Sequence, residues 1–210
     1  MVKFRKVTVG VLRTNCYIVY DETLGKGIVI DPGGESDKII KVLDELNVKI
    51  EYIIATHGHF DHVLCVDAVK EYTNSRFIIH EADVKIMEYS KIWVPKEWKP
   101  PKPDVLLDTE CTIVVSDTLK LNILHTPGHT PGSICIHTGN MLFTGDTLFK
   151  GTIGRTDMPG GSFKQILKSL EKIRRLPREI LILPGHGSST TLDQELKYNP
   201  YLSKSTLSMS

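Results

Sequence analysis

Thr56-His57-Gly58-His59-Phe60-Asp61-His62 is the stretch on which the reading of this chain turns. Positions 57–62 hold three imidazoles and a carboxylate, and those three are among only eight histidines in 210 residues. Histidine that is scarce elsewhere and concentrated here argues against a polar loop that is His-rich by accident. Imidazole nitrogen and carboxylate oxygen are donors that zinc, iron and manganese accept. Four ligand groups this close crowd a single ion. The run therefore predicts a pair of ions, about 3.5–4 Å apart and able to share a hydroxide.

The flanks place the run in a fold. Residues 51–56 read as a short apolar strand, and residues 63–72 as an amphipathic helix. The run is then a strand-to-helix turn, where open α/β sheets collect their ligands. Gly58 lets the turn fold tightly between two ligands. Asp61 falls near the helix start, where the dipole favours a carboxylate.

Upstream, residues 3–9, 15–20 and 27–30 read as strands, the third stopped by Asp31-Pro32-Gly33-Gly34. Asp31 reads as a turn former rather than a ligand. Ser36 reads as the N-cap of a helix with Ile39, Ile40, Leu43 and Leu46 on its apolar face. Downstream, residues 76–80 read as a buried strand and 81–91 as helical. Strands follow at 105–107, 111–115, 118–125, 133–138 and 141–144. Ser162-Phe163-Lys164-Gln165 fits a capping box, opening a helix to Arg175 with Phe163, Ile166, Leu167, Leu170 and Ile173 on one face. Residues 180–183 close as a strand and 191–197 as a short helix, and 203–210 read as a frayed tail. Sheets covered by helices on their outer faces suit this order. No linker composition divides the chain, so residues 1–210 read as one domain.

Residues 92–104 break the pattern with four prolines and both tryptophans, Trp93 and Trp98. Two readings stand: a surface loop anchored to the core by its tryptophans, or a rigid flap over a substrate pocket.

Composition bounds the function. Hydrophobic residues make up 40% and charged residues 24%, ordinary values for a soluble globular chain. The formal net charge of +1 gives no field for nucleic acid or an anionic membrane. Residues 1–6 lack an apolar signal core and no stretch is long enough to span a bilayer, so a cytoplasmic protein is expected. Cys16, Cys65, Cys111 and Cys135 lack metal-site spacing and read as reduced, mostly buried thiols.

Three further ligand candidates stand after strands. His129 lies in Thr126-Pro127-Gly128-His129-Thr130-Pro131-Gly132-Ser133, whose two Pro-Gly pairs stiffen the loop. Asp146 follows the strand at 141–144, and His186 the strand at 180–183. Four strand-end sites with one chemistry, each bracketed by Gly or Pro, make a shared centre the better reading. His80, His125 and His137 lie in or at the ends of strands and read as structural. Arg155 and Asp157 read as an internal ion pair holding their loop, ahead of a role for Arg155 in substrate binding.

In these motifs the chain resembles the metallo-β-lactamase-fold hydrolases. His57, His59, Asp61 and His62 match the family's H-x-H-x-D-H, and His129, Asp146 and His186 match its later motifs in order. Thr14-Asn15-Cys16-Tyr17, Asp31 to Gly34, Thr126 to Ser133, Gly145 to Phe149, Gly151 to Asp157 and Gly185 to Thr191 resemble the small glyoxalase II-like branch. The resemblance implies an α/β fold, a four-layer αββα sandwich of two mixed sheets. It implies two divalent ions, zinc before iron or manganese. His57, His59 and His129 would hold one; Asp61, His62 and His186 the other; Asp146 would bridge. It implies a binuclear thioester hydrolase in which a metal-bridging hydroxide, oriented by Asp61, attacks a small-molecule acyl-thiol ester. The main alternative is a mono-iron persulfide dioxygenase of the same fold, with a nuclease or lactonase behind it. Trp93, Trp98 and Arg155 are the candidate substrate contacts. Two departures stand out: Leu64 replaces the glycine usual after Asp-His-x, and too few residues follow His186 for a glutathione-holding helical domain.

Overall fold

The computed structural model describes residues 1–203. Three antiparallel strands open the chain: β1 (Val2–Val9), β2 (Thr14–Asp21) and β3 (Lys26–Ile30). Helix α1 (Ser36–Leu46) carries the chain over to β4 (Lys49–Ile54), parallel to β3. Short helices α2 (Phe60–Val63) and α3 (Val66–Thr73) lead to β5 (Arg76–His80). A 3₁₀ turn (Glu81–Asp83), α4 (Val84–Tyr89) and a second 3₁₀ turn (Ser90–Trp93) precede the proline-rich run. Strand β6 (Val105–Leu107) completes a mixed six-stranded sheet in the order β1-β2-β3-β4-β5-β6.

The second sheet starts with four antiparallel strands, β7 (Cys111–Val114), β8 (Lys120–His125), β9 (Ile134–Thr138) and β10 (Met141–Gly145). A small ribbon follows, β11 (Leu148–Phe149) with β12 (Thr152–Ile153). Helix α5 (Phe163–Arg174) crosses over to β13 (Leu181–Pro184), parallel to β10. Strand β14 (Thr190–Thr191) and α6 (Leu192–Tyr198) finish the sheet, whose order is β14-β13-β10-β9-β8-β7.

Alternation along the strands sorts the apolar residues into three layers. Val19, Ile28, Ile30 and Ile54 of the first sheet meet Ile123, Ile134, Ile136 and Phe143 of the second. The intervening residues Ile18, Val29 and Ile53 face outward onto Ile39 and Leu43 of α1 and Val69 of α3. On the other side, Cys135, Leu142 and Ile182 meet Leu170 and Ile173 of α5 and Leu192 of α6. Burying each such side chain contributes about 1.5–3 kcal/mol. The expected αββα sandwich is therefore present, and both sheets are mixed.

The structure corrects several local expectations. Glu35, not Ser36, is the N-cap of α1; it sits in the left-handed region at φ 48° and its carboxylate accepts from the Gly10 amide instead. The helix expected over 63–72 is broken at Leu64–Cys65. The Cys65 amide donates to Pro32 O at 2.9 Å, which takes it out of the helical ladder. Phe163 is exposed rather than on the buried face of α5, and lies edge-on to Tyr201. Ser162 does cap that helix, accepting from the Gln165 amide. Strands β11, β12 and β14 went unpredicted because two residues are too few for alternation to register. The four cysteines are unpaired. No helix among the described residues is long and apolar enough to cross a membrane. The tail reading at 204–210 lies outside the described residues.

Candidate metal centre

Strands β4, β8, β10 and β13 end at the same edge of the sandwich, and each delivers its loop there. Backbone bonds tie the two sheets together at that edge. Ile134 N donates to Thr56 O at 2.9 Å, and Asn15 N donates to Gly185 O at 2.7 Å. Three sets of ligand-type residues result: His57, His59 and His129; His57, His62 and Asp146; Asp61, His62 and His186. Within each set the donor atoms lie within 4.8 Å of one another. All seven sequence candidates are thus brought to one place.

The hydrogen bonds settle which nitrogen each ring turns inward. His62 Nδ1 donates to Asp31 Oδ2 at 2.9 Å, and His129 Nδ1 to the Arg155 carbonyl at 2.8 Å. His186 Nδ1 donates to Leu12 O at 3.1 Å. His57 Nδ1 donates to Thr56 Oγ1 at 3.1 Å, because that hydroxyl gives its own proton to Asp31 Oδ2 at 2.7 Å. Each of these four rings therefore turns its Nε2 to the centre, the nitrogen that would bind a cation once it carries no proton. His59 is the exception and presents Nδ1, which lies 3.1 Å from His57 Nε2 and 2.9 Å from His129 Nε2.

Three acceptor nitrogens so close repel one another unless a cation sits between them. Bonds of about 2.05 Å in a tetrahedral zinc site would space the nitrogens roughly 3.3 Å apart, near what is found. The set of Asp61, His62 and His186 is similar: His62 Nε2 to His186 Nε2 is 3.4 Å, and His186 Nε2 to Asp61 Oδ2 is 3.2 Å. Asp146 lies between the sets, with Oδ2 at 3.6 Å from both His129 Nε2 and His186 Nε2. Its Oδ1 is buried and has no hydrogen-bond partner. Its nearest positive group is His62 Nε2 at 3.5 Å, without a hydrogen bond, and a cation between the sets would satisfy it. The donor set therefore fits metal.

Charge is distributed unevenly. Burial, then the neighbouring histidines, pushes His57 well down, and burial with His129 takes His59 to about 3. Both are neutral donors at neutral pH. Burial opposes charge on His62, but Asp61, Asp31 and Asp146 outweigh it and raise this imidazole to about 10. The carboxylates around His62 call for positive charge, which a cation supplies in place of the proton.

Two carboxylates outside the ligand sets hold the loops in place. Asp31 accepts from Thr56 N at 2.6 Å as well as from Thr56 Oγ1 and His62. It forms its turn as expected, at φ 54°, but its side chain also orients ligands. Asp83, fully buried, accepts from Gly58 N and Thr130 Oγ1 at 2.7 Å each and from Gly132 N at 2.5 Å. It thereby clamps the loop of His57 and His59 to the loop of His129. Gly58 is needed for this approach rather than for the turn, since a Cβ there would lie 2.5 Å from Asp83 O. Neither role was legible beforehand, because each spans at least 25 residues of chain.

Of the proposed substrate contacts, Trp93 and Arg155 line the cavity beside the ligands, with a volume of about 410 Å³. Trp98 does not. It packs against the first sheet's outer core and donates Nε1 to Leu64 O at 3.3 Å, so it anchors the loop. Leu64 sits in ordinary helical conformation at φ −56° and is not among the cavity-lining residues. Arg155 and Asp157 form the expected pair, Nε to Oδ1 at 2.8 Å and Nη2 to Oδ2 at 2.9 Å. His80 caps a 3₁₀ turn and stacks on His125, and His137 bonds Gly139 O. None of these three joins a ligand set.

Comparison with known proteins agrees with this geometry. The chain is 35% identical over 204 residues to the hydroxyacylglutathione hydrolase GloC of Haemophilus influenzae, covering 93% of this chain and 96% of that protein. The solved structure of the BLEG-1 B3 metallo-beta-lactamase superposes with a TM-score of 0.89 at 33% identity, over 96% of this chain and 100% of the other. TTHA1623 in a di-iron-bound form superposes with a TM-score of 0.84 at 34% identity, over 94% of this chain and 100% of the other. Residues 9–186 match the family described as the Metallo-beta-lactamase superfamily, and the chain belongs to that superfamily.

Proposed function

We propose that this protein is a binuclear, metal-dependent hydrolase of acyl-thiol esters. The observation that carries the reading is that both ligand sets are complete, with Asp146 between them and its Oδ1 bare. His57, His59 and His129 would hold one ion, Asp61, His62 and His186 the other, and Asp146 both. A mono-iron dioxygenase reading would use His57, His129 and Asp146 and leave His59, Asp61, His62 and His186 without a metal. The similarity to GloC supports a thioester as substrate.

Divalent ions at this position, zinc or iron by donor chemistry, supply Lewis acidity toward water and a carbonyl oxygen. The protein's own part is positional. Thr14 Oγ1 donates to Asp61 Oδ2 at 3.0 Å, fixing the carboxylate that would orient the attacking water and take its proton. Asp31, Arg155 O and Leu12 O hold the imidazoles in one tautomer, so no reorganisation is needed at the moment of attack. The leaving thiol has a pKa of about 8.5, so it departs as thiolate without a general acid.

The test pairs metal analysis of the purified protein with two assays, thioester cleavage and oxygen uptake with a persulfide. Two ions per chain with thioester cleavage is the expected result. One iron per chain, oxygen uptake and no cleavage would reject the reading.

A further inference from the structure

The mouth of the cavity is lined by large apolar side chains that the fold leaves in water. Leu12 comes from the β1–β2 turn and is 52% exposed; Tyr89 ends α4 and is 44% exposed; Trp93 ends the next 3₁₀ turn and is 59% exposed. Phe60 and Met158 complete the wall. These residues come from four separate regions of chain, and all border the space next to His59, Asp61 and Asp146. Exposed aromatic and aliphatic groups converging on one concave site are what a ligand's apolar part buries.

The polar side of the cavity points the same way. Arg155 is its one lining residue of the Lys or Arg type, and the Asp157 carboxylate already takes the Nε–Nη2 edge of its guanidinium. A thiol carrying two carboxylates, such as glutathione, meets only this one, already paired, guanidinium on the wall. We propose that the cavity seats a hydrocarbon acyl chain against Leu12, Tyr89 and Trp93, making the substrate an uncharged, medium-chain acyl thioester. The catalytic half of this statement rests on the thioesterase reading, whereas the binding half stands on the cavity alone.

Two experiments separate the halves. The first measures KM for acetyl, butanoyl and hexanoyl esters of one neutral thiol, N-acetylcysteamine, and for lactoylglutathione. KM is expected to fall about fourfold per methylene buried, with lactoylglutathione the poorest substrate. Trp93→Ser and Leu12→Ser are each expected to flatten that series. The second experiment uses the Trp98→Phe protein, in which Trp93 is the one indole left, and titrates it with straight-chain methyl ketones. Trp93 emission is expected to shift to shorter wavelength, with affinity rising along the ketone series. Thioester cleavage with KM indifferent to chain length would overturn the acyl-chain assignment and leave the reaction standing. Ketone binding that strengthens with chain length, without cleavage of any thioester, would support the cavity assignment and remove the reaction. A cavity that binds no ketone, or prefers lactoylglutathione, overturns the proposal.

Discussion

Asp31 Oδ2 accepts a hydrogen bond from His62 Nδ1 at 2.9 Å, joining the end of β3 to a ligand 31 residues later. The same carboxylate takes two more donors, the amide and hydroxyl of Thr56. Asparagine keeps the left-handed turn but presents an NH₂ where a donor arrives. Asp31→Asn is therefore expected to weaken metal binding about 10–100-fold without loss of the fold. Titration against a chromophoric chelator, with circular dichroism alongside, checks this. Affinity within twofold of wild type would show that His62 needs no such partner.

Asp146 Oδ2 lies 3.6 Å from a histidine of each of the two ion-binding sets, His129 and His186. Asp146→Ala is expected to lose both ions rather than one, as read by elemental analysis. Because metal binds the folded state, chelation is expected to lower the melting temperature of the wild type and leave that of the variant unchanged. A variant that retains two ions rejects the bridging assignment.

Gly33 lies against the ligand helix. A Cβ there would sit 1.4 Å from Asp61 O and 2.4 Å from Asp61 C. Backbone has to move, so Gly33→Ala is expected to destabilise by about 3 kcal/mol or more and to reduce metal content. Gly139→Ala is the control, with a positive φ of 55° but nothing within 4 Å. It is expected to cost about 1–2 kcal/mol and to leave the metal in place. Equal losses in urea unfolding would show that the Gly33 contact is relieved at no greater cost than the positive φ at Gly139.

Asp21, at the end of β2, is buried and reaches across to the β7–β8 turn. Hydrogen bonding by Thr118, opposed by burial and joined by Thr23, Ser116 and Leu24, holds its carboxyl well below the usual range. A depressed carboxylate stabilises the fold above its unfolded pKa of about 3.9, and that contribution disappears as pH falls toward the folded value. Asp21→Asn is expected to melt below wild type near neutral pH, with the gap beginning to narrow below about pH 5 and still narrowing below about pH 3, because the folded carboxyl titrates well below the usual range. A gap independent of pH would assign the loss to shape rather than charge.

Local chemistry and the motif resemblance were enough to single out the candidate ligands. His57, His59, His129, Asp146 and His186 stand past strand ends beside Gly, with Asp61 and His62 opening the helix that follows, and strand patterning and turn residues are legible over a few positions. The order of short apolar strands and helices likewise pointed to sheets covered by helices, and the structure turns Ile28 and Ile54 inward and Val29 and Ile53 outward. Contacts between distant segments decided the rest. That Asp31 holds His62, that Asp83 clamps the Gly58 and Gly132 loops together, and that Leu12 meets Trp93 around one cavity depend on which strands pair. No local period encodes such pairings, because a buried carboxylate or an exposed indole reads the same in sequence whatever stands opposite it.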